Sequence, residues 1–519
     1  MYYNFFLKHT YTQERAFRVK SNISKKLNKR KKKITKRTGK RNWKDQRRPM
    51  LTCPNISYDV DDRNRGIGNG GIGIIHQLVE KISLADEINN CLELLKRHIP
   101  YHESDHVLNL AYNILSGGHC LQDIDLLRKD EGWLDALDAE IIPASTTAGD
   151  FLRRFNKGDI IELMEAKNTV RKKIWQEQPK NFHQQAVINV DGTISPIDGR
   201  CKRGMDLSYN GQWSYHPLLI SLANTREPLY IINRPGNVPS HQDSAHWLDK
   251  SLDLVCPCFE TVWIRGDSDF ALTKNFDKWD ERCKLLFAMD SKKNLIQIAD
   301  DITVDQWQEL ERRPKYTIKT KPRKRPHKVK DQVVKRRKFR SIHTKAEHVA
   351  EFSYQPWQCS KIYRIIVLKK TLKVTKGNQQ LDDEIRYFFY ITNEMKMSPT
   401  RLIRFYRERA DHENDIEQLK NGVRALHSPS DSLISNWAYM VIASLAWDLK
   451  AWYGMLMPYR HLGLSIMRME FKRFINMFIR IPCLIIKSGR RIYYRIVGYN
   501  DKIKHMLNLF KLLKTFAFK

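Results

Sequence analysis

The stretch YRERADHENDIEQLK, Tyr406 to Lys420, interleaves five carboxylates with Arg407, Arg409, His412 and Lys420. At 100° per residue, Tyr406, Arg409, Glu413 and Lys420 fall within an arc of roughly 60° on one side of a helix. Glu417 lies close to the same side, while Glu408, Asp411 and Asp415 form a solvated back. Such a stripe suits a phosphate ester: Arg409 offers a planar fork, Lys420 a point charge, and Tyr406 a surface beneath a sugar or phosphate. A salt-bridged surface helix shows the same pattern, so the stripe needs partners elsewhere in the chain. Asp191 ends the apolar, β-branched run AVINVD, and Asp267 ends TVWIRGD. An Asp-Gly pair alone is commonly a turn. A carboxylate just past a buried strand, however, stands on rigid backbone at the rim of a sheet. Asp191, Asp267 and Glu413 together suit Mg2+, which takes oxygen ligands and binds alongside substrate phosphate. Two such ions activate an attacking oxygen and steady a leaving one. Trp307 and Trp357 are read as core or loop packing rather than as groups that stack on a base.

These side chains need elements to hold them. From Gly66 to Phe155 apolar residues recur at three- and four-residue intervals, which predicts a helical region. Ser104, Ser145–Thr147, and Ser240 with Asp243 are the expected helix caps. After Gln184 come AVINVD, PLLISL, LYIIN, TVWIRGD and LLFAMD, strand-like runs with a helix starting at Ser240 between them. Strands followed by helices indicate a mixed α/β domain. Asp267 and Glu413 are farther apart than a strand-to-helix connection needs, so something is inserted. The basic block from Arg312 to Lys345 and the strand-like YRIIVLKK and IRYFFYITN fill that interval. From Pro399 onwards the pattern is helical.

Lys and Arg number 91 against 58 Asp and Glu, a formal net charge of +33 that favours a polyanionic partner, nucleic acid first among them. A hydrophobic content of 41% excludes wholesale disorder. Residues 15–48 are so rich in Lys and Arg that a self-repelling, flexible arm is expected. The nine cysteines are scattered, and Cys256-Pro-Cys258 has no second pair. No zinc site is expected there, and reduced cytosolic thiols are. The N-terminal residues do not read as a signal peptide. NWAYMVIASLAW, from Asn436, is too short to span a bilayer and predicts a buried helix, so no membrane partner is expected.

Tyr406, Arg409, Glu413 and Lys420 reproduce without a gap the pattern Tyr-x2-Arg-x3-Glu-x6-Lys. On that motif the chain resembles DDE transposases of bacterial insertion sequences, in the superfamily named after insertion sequence four. VINVDGT and WIRGDSDF resemble its two aspartate motifs. INRPGN at Ile232–Asn237, LLRKD and the long insertion are most similar to the thirteen-eighty group. The resemblance covers about Asp61 to Trp452. It implies an α/β fold: an RNase H-like catalytic core interrupted by a β-rich insertion, with an N-terminal helical domain and a helical C-terminal region. The expected divisions are a basic arm (1–55), a helical end-binding domain (56–175), core (176–300), β-rich insertion (301–395), core (396–455) and a C-terminal helical region (456–519). Asp191, Asp267 and Glu413 would bind two Mg2+ ions, with Mn2+ as a substitute. Tyr406, Arg409 and Lys420 would contact DNA at the transposon end. The implied activity is metal-dependent cleavage at terminal inverted repeats and transfer of the 3′-OH into target DNA. The acting species would be a homodimer or larger, in bacterial cytoplasm at the nucleoid. Asp269 departs from the family, which usually has a small residue there. Asp198 is a lower-ranked rival for the first aspartate, beyond a turn and Pro196. The alternatives are an RNase H-fold nuclease, an inactive DNA-binding relative, and a basic nucleic-acid-binding protein whose acids are structural.

Overall fold

Apolar, β-branched runs pair into one large sheet in this computed structural model, which describes residues 21–39, 56–59, 61, 64–311, 328–377 and 379–515. Residues 1–20 and 40–55 of the basic arm, and 312–327 of the second basic block, lie outside the described residues. The chain divides into two compact units. One comprises Pro179–Pro196 and Asp206–Ile416, and the other comprises the residues up to Gln178, 197–205 and Glu417 onwards.

The first unit is built on strands β1 (Gln185–Gly192), β2 (Leu218–Leu222), β3 (Glu227–Ile232), β4 (Thr261–Gly266), β5 (Lys284–Met289), β6 (Arg340–Tyr354), β7 (Tyr363–Lys376) and β8 (Glu384–Thr392). Their order across the sheet is β6-β7-β8-β5-β4-β1-β2-β3. β1, β2 and β3 form an antiparallel meander. Helix α1 (Ser244–Val255) then carries the chain back so that β4 pairs parallel to β1, and β5 parallel to β4. β1 is buried at every position from Ala186 to Val190, which explains a run that is apolar except for Asn189. The strands after the second basic block extend the same sheet, through antiparallel pairing of β8 with β5. Helix α2 (Pro399–Arg407) follows, with Pro399 at its first position, where a missing N–H costs nothing. It lays Leu402 and Ile403 against Val187, Trp263, Leu286, Val349, Ile366 and Tyr390. Each such buried side chain contributes about 1.5–3 kcal/mol.

The single helix expected over Tyr406–Lys420 is interrupted. α2 ends at Arg407, a turn occupies Glu408 and Arg409, and α3 runs Ala410–Glu417 before a π-helical turn, Gln418–Gly422. The 100° spacing therefore does not carry from Tyr406 to Glu413, nor on to Lys420. Asp415 is not on a solvated back either. It is buried, with Arg226 Nη1 3.3 Å from its carboxylate.

The other unit is mainly helical, with one long helix, α4 (Leu433–Met455), buried from Ser435 to Met455. α4 packs against the helices Glu103–Ser116, Ser145–Arg154 and Lys157–Gln176. Its Asp448 sits between Lys167 (2.9 Å) and Arg171 (3.2 Å), all buried, so the charge is paired where it cannot be hydrated. Part of the segment expected to be a flexible arm is helical, Ser21–Thr38. It contains no Gly or Pro, and Lys and Arg are good helix formers. Arg30 donates to Ile496 O and Gly498 O, which anchors it. Residues 456–519, expected to be helical, also contain the hairpin Cys483–Ser488 and Arg491–Ile496, to which Arg65–Ile67 adds a third strand. Alternating IYYRI is a strand pattern, and Gly489 at φ 59° makes the turn. Two caps differ from those expected: His102 precedes the helix at Glu103, and Ala144 the helix at Ser145. Of Ser240 and Asp243, it is Asp243 that precedes the helix at Ser244. Among the described residues, no helix is long and apolar enough to cross a membrane.

Candidate functional site

The parallel pairing of β1 with β4 sets Asn189 opposite Arg265. Two residues further along each chain are Asp191 and Asp267. The register thus places them side by side at the carboxyl ends of neighbouring strands, which run about 4.8 Å apart. Gly266 permits this approach: a Cβ there would lie 2.9 Å from Val190 Cγ1 and 3.1 Å from Phe270 Cβ, so a side chain would push the strands apart. Asp267 is held by its own loop, its Oδ1 accepting from the Asp269 N–H at 3.1 Å.

Arg409, in the turn between α2 and α3, reaches these acids. Its Nη1 donates to Asp191 Oδ2 at 2.8 Å, and its Nη2 lies 3.7 Å from Glu413 Oε1. The Tyr406 ring centre is 6.0 Å from the guanidinium, and the ring also packs on Tyr390, centres 4.6 Å apart. Asp191 and Arg409 are mostly buried, whereas the Glu413 side chain is 65% exposed. Asp191, Asp267 and Glu413 do not bring ligand atoms all within 4.8 Å of one another, and Arg409 pairs with both Asp191 and Glu413. Lys420, in the π-helical turn, and Glu417, hydrogen-bonded by Asn421, belong to the other unit. The rival Asp198 also belongs to that unit and is exposed.

The acids are electrostatically unsettled. Burial pushes the Asp191 carboxyl up to about 6; Arg409 pulls against that, and Asp267 adds to it. Burial raises Asp267 too, opposed by Arg409 and reinforced by Asp269. Arg409 is held above its ordinary value despite burial, by Tyr406, Asp191 and Asp267. One guanidinium thus faces the Asp191 and Asp267 carboxyls, and burial outweighs its pull on both. All donors are carboxylate oxygens, the set a hard divalent cation takes. In donor type, the residues fit such an ion.

Several supporting side chains were not singled out from the sequence. Arg265, buried, donates Nε to Asn189 Oδ1 at 2.9 Å and Nη1 to the Phe405 carbonyl, tying the strand ends to the last turn of α2. Burial lowers it to about 10, still charged at neutral pH. His412 Nδ1 is 2.9 Å from Ser221 Oγ, and burial drives its pKa down to about 3, so it stays neutral. His216 Nδ1 is 2.8 Å from the Val238 carbonyl, and its ring blocks any side chain at Gly192. Their partners lie far away in sequence, so no local pattern announced them. Trp307 stacks on Tyr387, and Trp357 is 89% exposed rather than packed.

The cryo-EM structure of the piggyBac transposase synaptic complex with hairpin DNA is similar over 79% of this chain and 84% of that one. The identity is 11% and the TM-score 0.32. No curated protein matches the chain. The family model Transposase DDE domain group 1 matches residues 64–515. That match takes in the strand-end aspartates, the Arg409 turn and most of the helical unit, and the chain therefore belongs to the Transposase DDE domain group 1 family, nucleic-acid-processing enzymes that generally use divalent metal ions.

Proposed function

We propose that this chain is the transposase of a bacterial insertion sequence, of the superfamily named after insertion sequence four and most like its thirteen-eighty group. It acts on DNA at terminal inverted repeats and on target DNA, as a homodimer or larger assembly at the nucleoid. The observation that carries this reading is the juxtaposition of Asp191 and Asp267 with Arg409 bridging to Glu413. The antiparallel meander followed by two parallel strands supports an RNase H-like core.

Asp191, Asp267 and Glu413 would hold two divalent ions, Mg2+ or Mn2+, which would supply activation of the attacking oxygen and stabilisation of the leaving one. Arg409 exchanges its carboxylate for a DNA phosphate, which suits its planar fork and opens Asp191. Glu413, on the exposed end of that bridge, then completes the acidic set. Tyr406 supports Arg409 from below, and Lys420 adds a point charge to the DNA backbone. A water oxygen forms a bond to phosphorus at the transposon end, and the 3′-oxygen leaves as a hydroxyl. That hydroxyl attacks a target phosphodiester in line, one P–O bond forming as another breaks. No covalent protein–DNA link is required.

Full-length protein, oligonucleotide ends and Mg2+ test this. Asp191→Asn should lower strand cleavage by about 10³-fold or more, while end binding in a mobility shift changes little. Glu413→Gln should be far more damaging than Glu417→Gln. Wild-type cleavage by Asp191→Asn, or the reverse order of the two glutamates, would overturn the assignment. Joining of paired ends to a target plasmid separates a transposase from a nuclease on the same core.

A further inference from the structure

Away from the carboxylates on the sheet, the helical unit gathers a different set of donors. Among the described residues, His98, His102 and Glu103 bring one ligand atom each within 4.8 Å of one another. Glu103 opens the helix Glu103–Ser116, His102 caps it, and His98 lies in the connector that precedes it. Glu103 is 2% exposed. A buried carboxylate is costly unless its oxygens are satisfied. Its Oε1 accepts from the Leu94 and Leu95 N–H groups at 3.0 and 2.9 Å, and its Oε2 meets His98 Nε2 at 3.0 Å. One oxygen is thus fixed by backbone and the other is aimed at imidazole. The rings of His98 and His102 lie face to face, centres 4.1 Å apart and 15° from parallel, both toward solvent.

A His98–Glu103 hydrogen bond by itself takes in two of these three groups. A shared cation takes in all three once the stacked rings turn their nitrogens toward it. Two imidazoles and a carboxylate form a mixed nitrogen–oxygen set, which disfavours Mg2+ and Ca2+ and favours Zn2+-type ions. The backbone bonds to Oε1 are the kind of outer support that orients a ligating carboxylate. Three ligands within six residues leave little loop entropy to lose on binding. The exposed side leaves a fourth position for water.

We propose that His98, His102 and Glu103 form a Zn2+-type site that fastens the 92–102 connector to the start of the Glu103–Ser116 helix. The site is separate from the acidic groups at the ends of β1 and β4, and it stands whether or not those groups cleave DNA.

Zn2+ and Co2+ alone are the probes, added to full-length protein without a polyhistidine tag in excess Mg2+. Wild type should retain one equivalent of Zn2+ per chain through dialysis, and Co2+ should give visible absorption bands of a nitrogen–oxygen site. His98→Ala and His102→Ala should each weaken Zn2+ binding at least about tenfold. Both side chains are solvent-facing, so circular dichroism should show the fold intact. Asp191→Asn should keep the full equivalent. Glu103→Gln should also lose the equivalent, with binding read only in preparations that melt cooperatively. No retained Zn2+, retention unaffected by both histidine changes, or loss with Asp191→Asn would each overturn the proposal.

Discussion

Asp191 keeps its proton to a higher pH than an unfolded chain allows, and this has a measurable sign. Its carboxyl is ordinarily near 3.8 and is raised to about 6, chiefly by burial. Between those values the folded protein binds more protons than the unfolded one. Stability contributed by this group therefore falls as pH rises from about 4 to about 6, by at most about 3 kcal/mol. Other carboxylates shift the opposite way, so the test is a difference. Urea melts of wild type and Asp191→Asn in EDTA should diverge across that window, the wild type losing ground as pH rises. Parallel curves would show that Asp191 is not buried in this way. At this scale the sequence is informative where chemistry and a local run coincide. That Asp191 closes a strand is legible from VINV, and that Asp267 follows one is legible from TVWIRG. The buried Asp415 was illegible, because Arg226, which neutralises it, lies far back in the chain.

The eight-residue α3 cannot stand alone as a helix and needs docking. His412 on Ser221, and Asp415 on Arg226, supply it from the β2–β3 hairpin. Glu413 is carried on that docked turn. Arg226→Ala should remove the cation beside a carboxylate that is 6% exposed, costing about 3–5 kcal/mol and lowering the melting temperature by roughly 10 °C. Arg226 also has φ 63°, so Arg226→Gly should cost about 1 kcal/mol less than Arg226→Ala, since glycine adopts that conformation without strain. Equal losses would remove the backbone part of the argument. His412→Ala should lower cleavage about tenfold through misplacement of Glu413, with DNA binding retained in a mobility shift. The strands were legible as elements from β-branched content. The break at Glu408–Arg409 was not, because every residue from Tyr406 to Lys420 tolerates helix. It coincides with the contact of Arg409 on Asp191, a tertiary preference that overrides local propensity.

For the whole molecule, the charge of +33 predicts the character of DNA binding before any base is read. Affinity for a random duplex should fall about 10³-fold or more between 50 and 200 mM salt, if six or more phosphates are neutralised. Mobility shifts or fluorescence anisotropy across that range measure it, and a flat response would mean that the basic groups do not meet phosphate. Charge was legible from composition. The division of the chain between two units was not, because it depends on which distant segments pack. Ile197–Met205 leaves the sheet-bearing unit and returns, with Lys202 reaching the Ser428 and Ser430 carbonyls. No composition shift marks that excursion.

The burial of α4 against helices that end at Gln176 has a consequence for the nascent chain. Those early helices leave the ribosome long before their partner begins at Leu433, a wait on the order of 10–50 s at usual translation speeds. Until then the faces that α4 covers lack that partner. A chain stopped before Leu433 lacks that partner and should be cut by added protease far faster than the full chain.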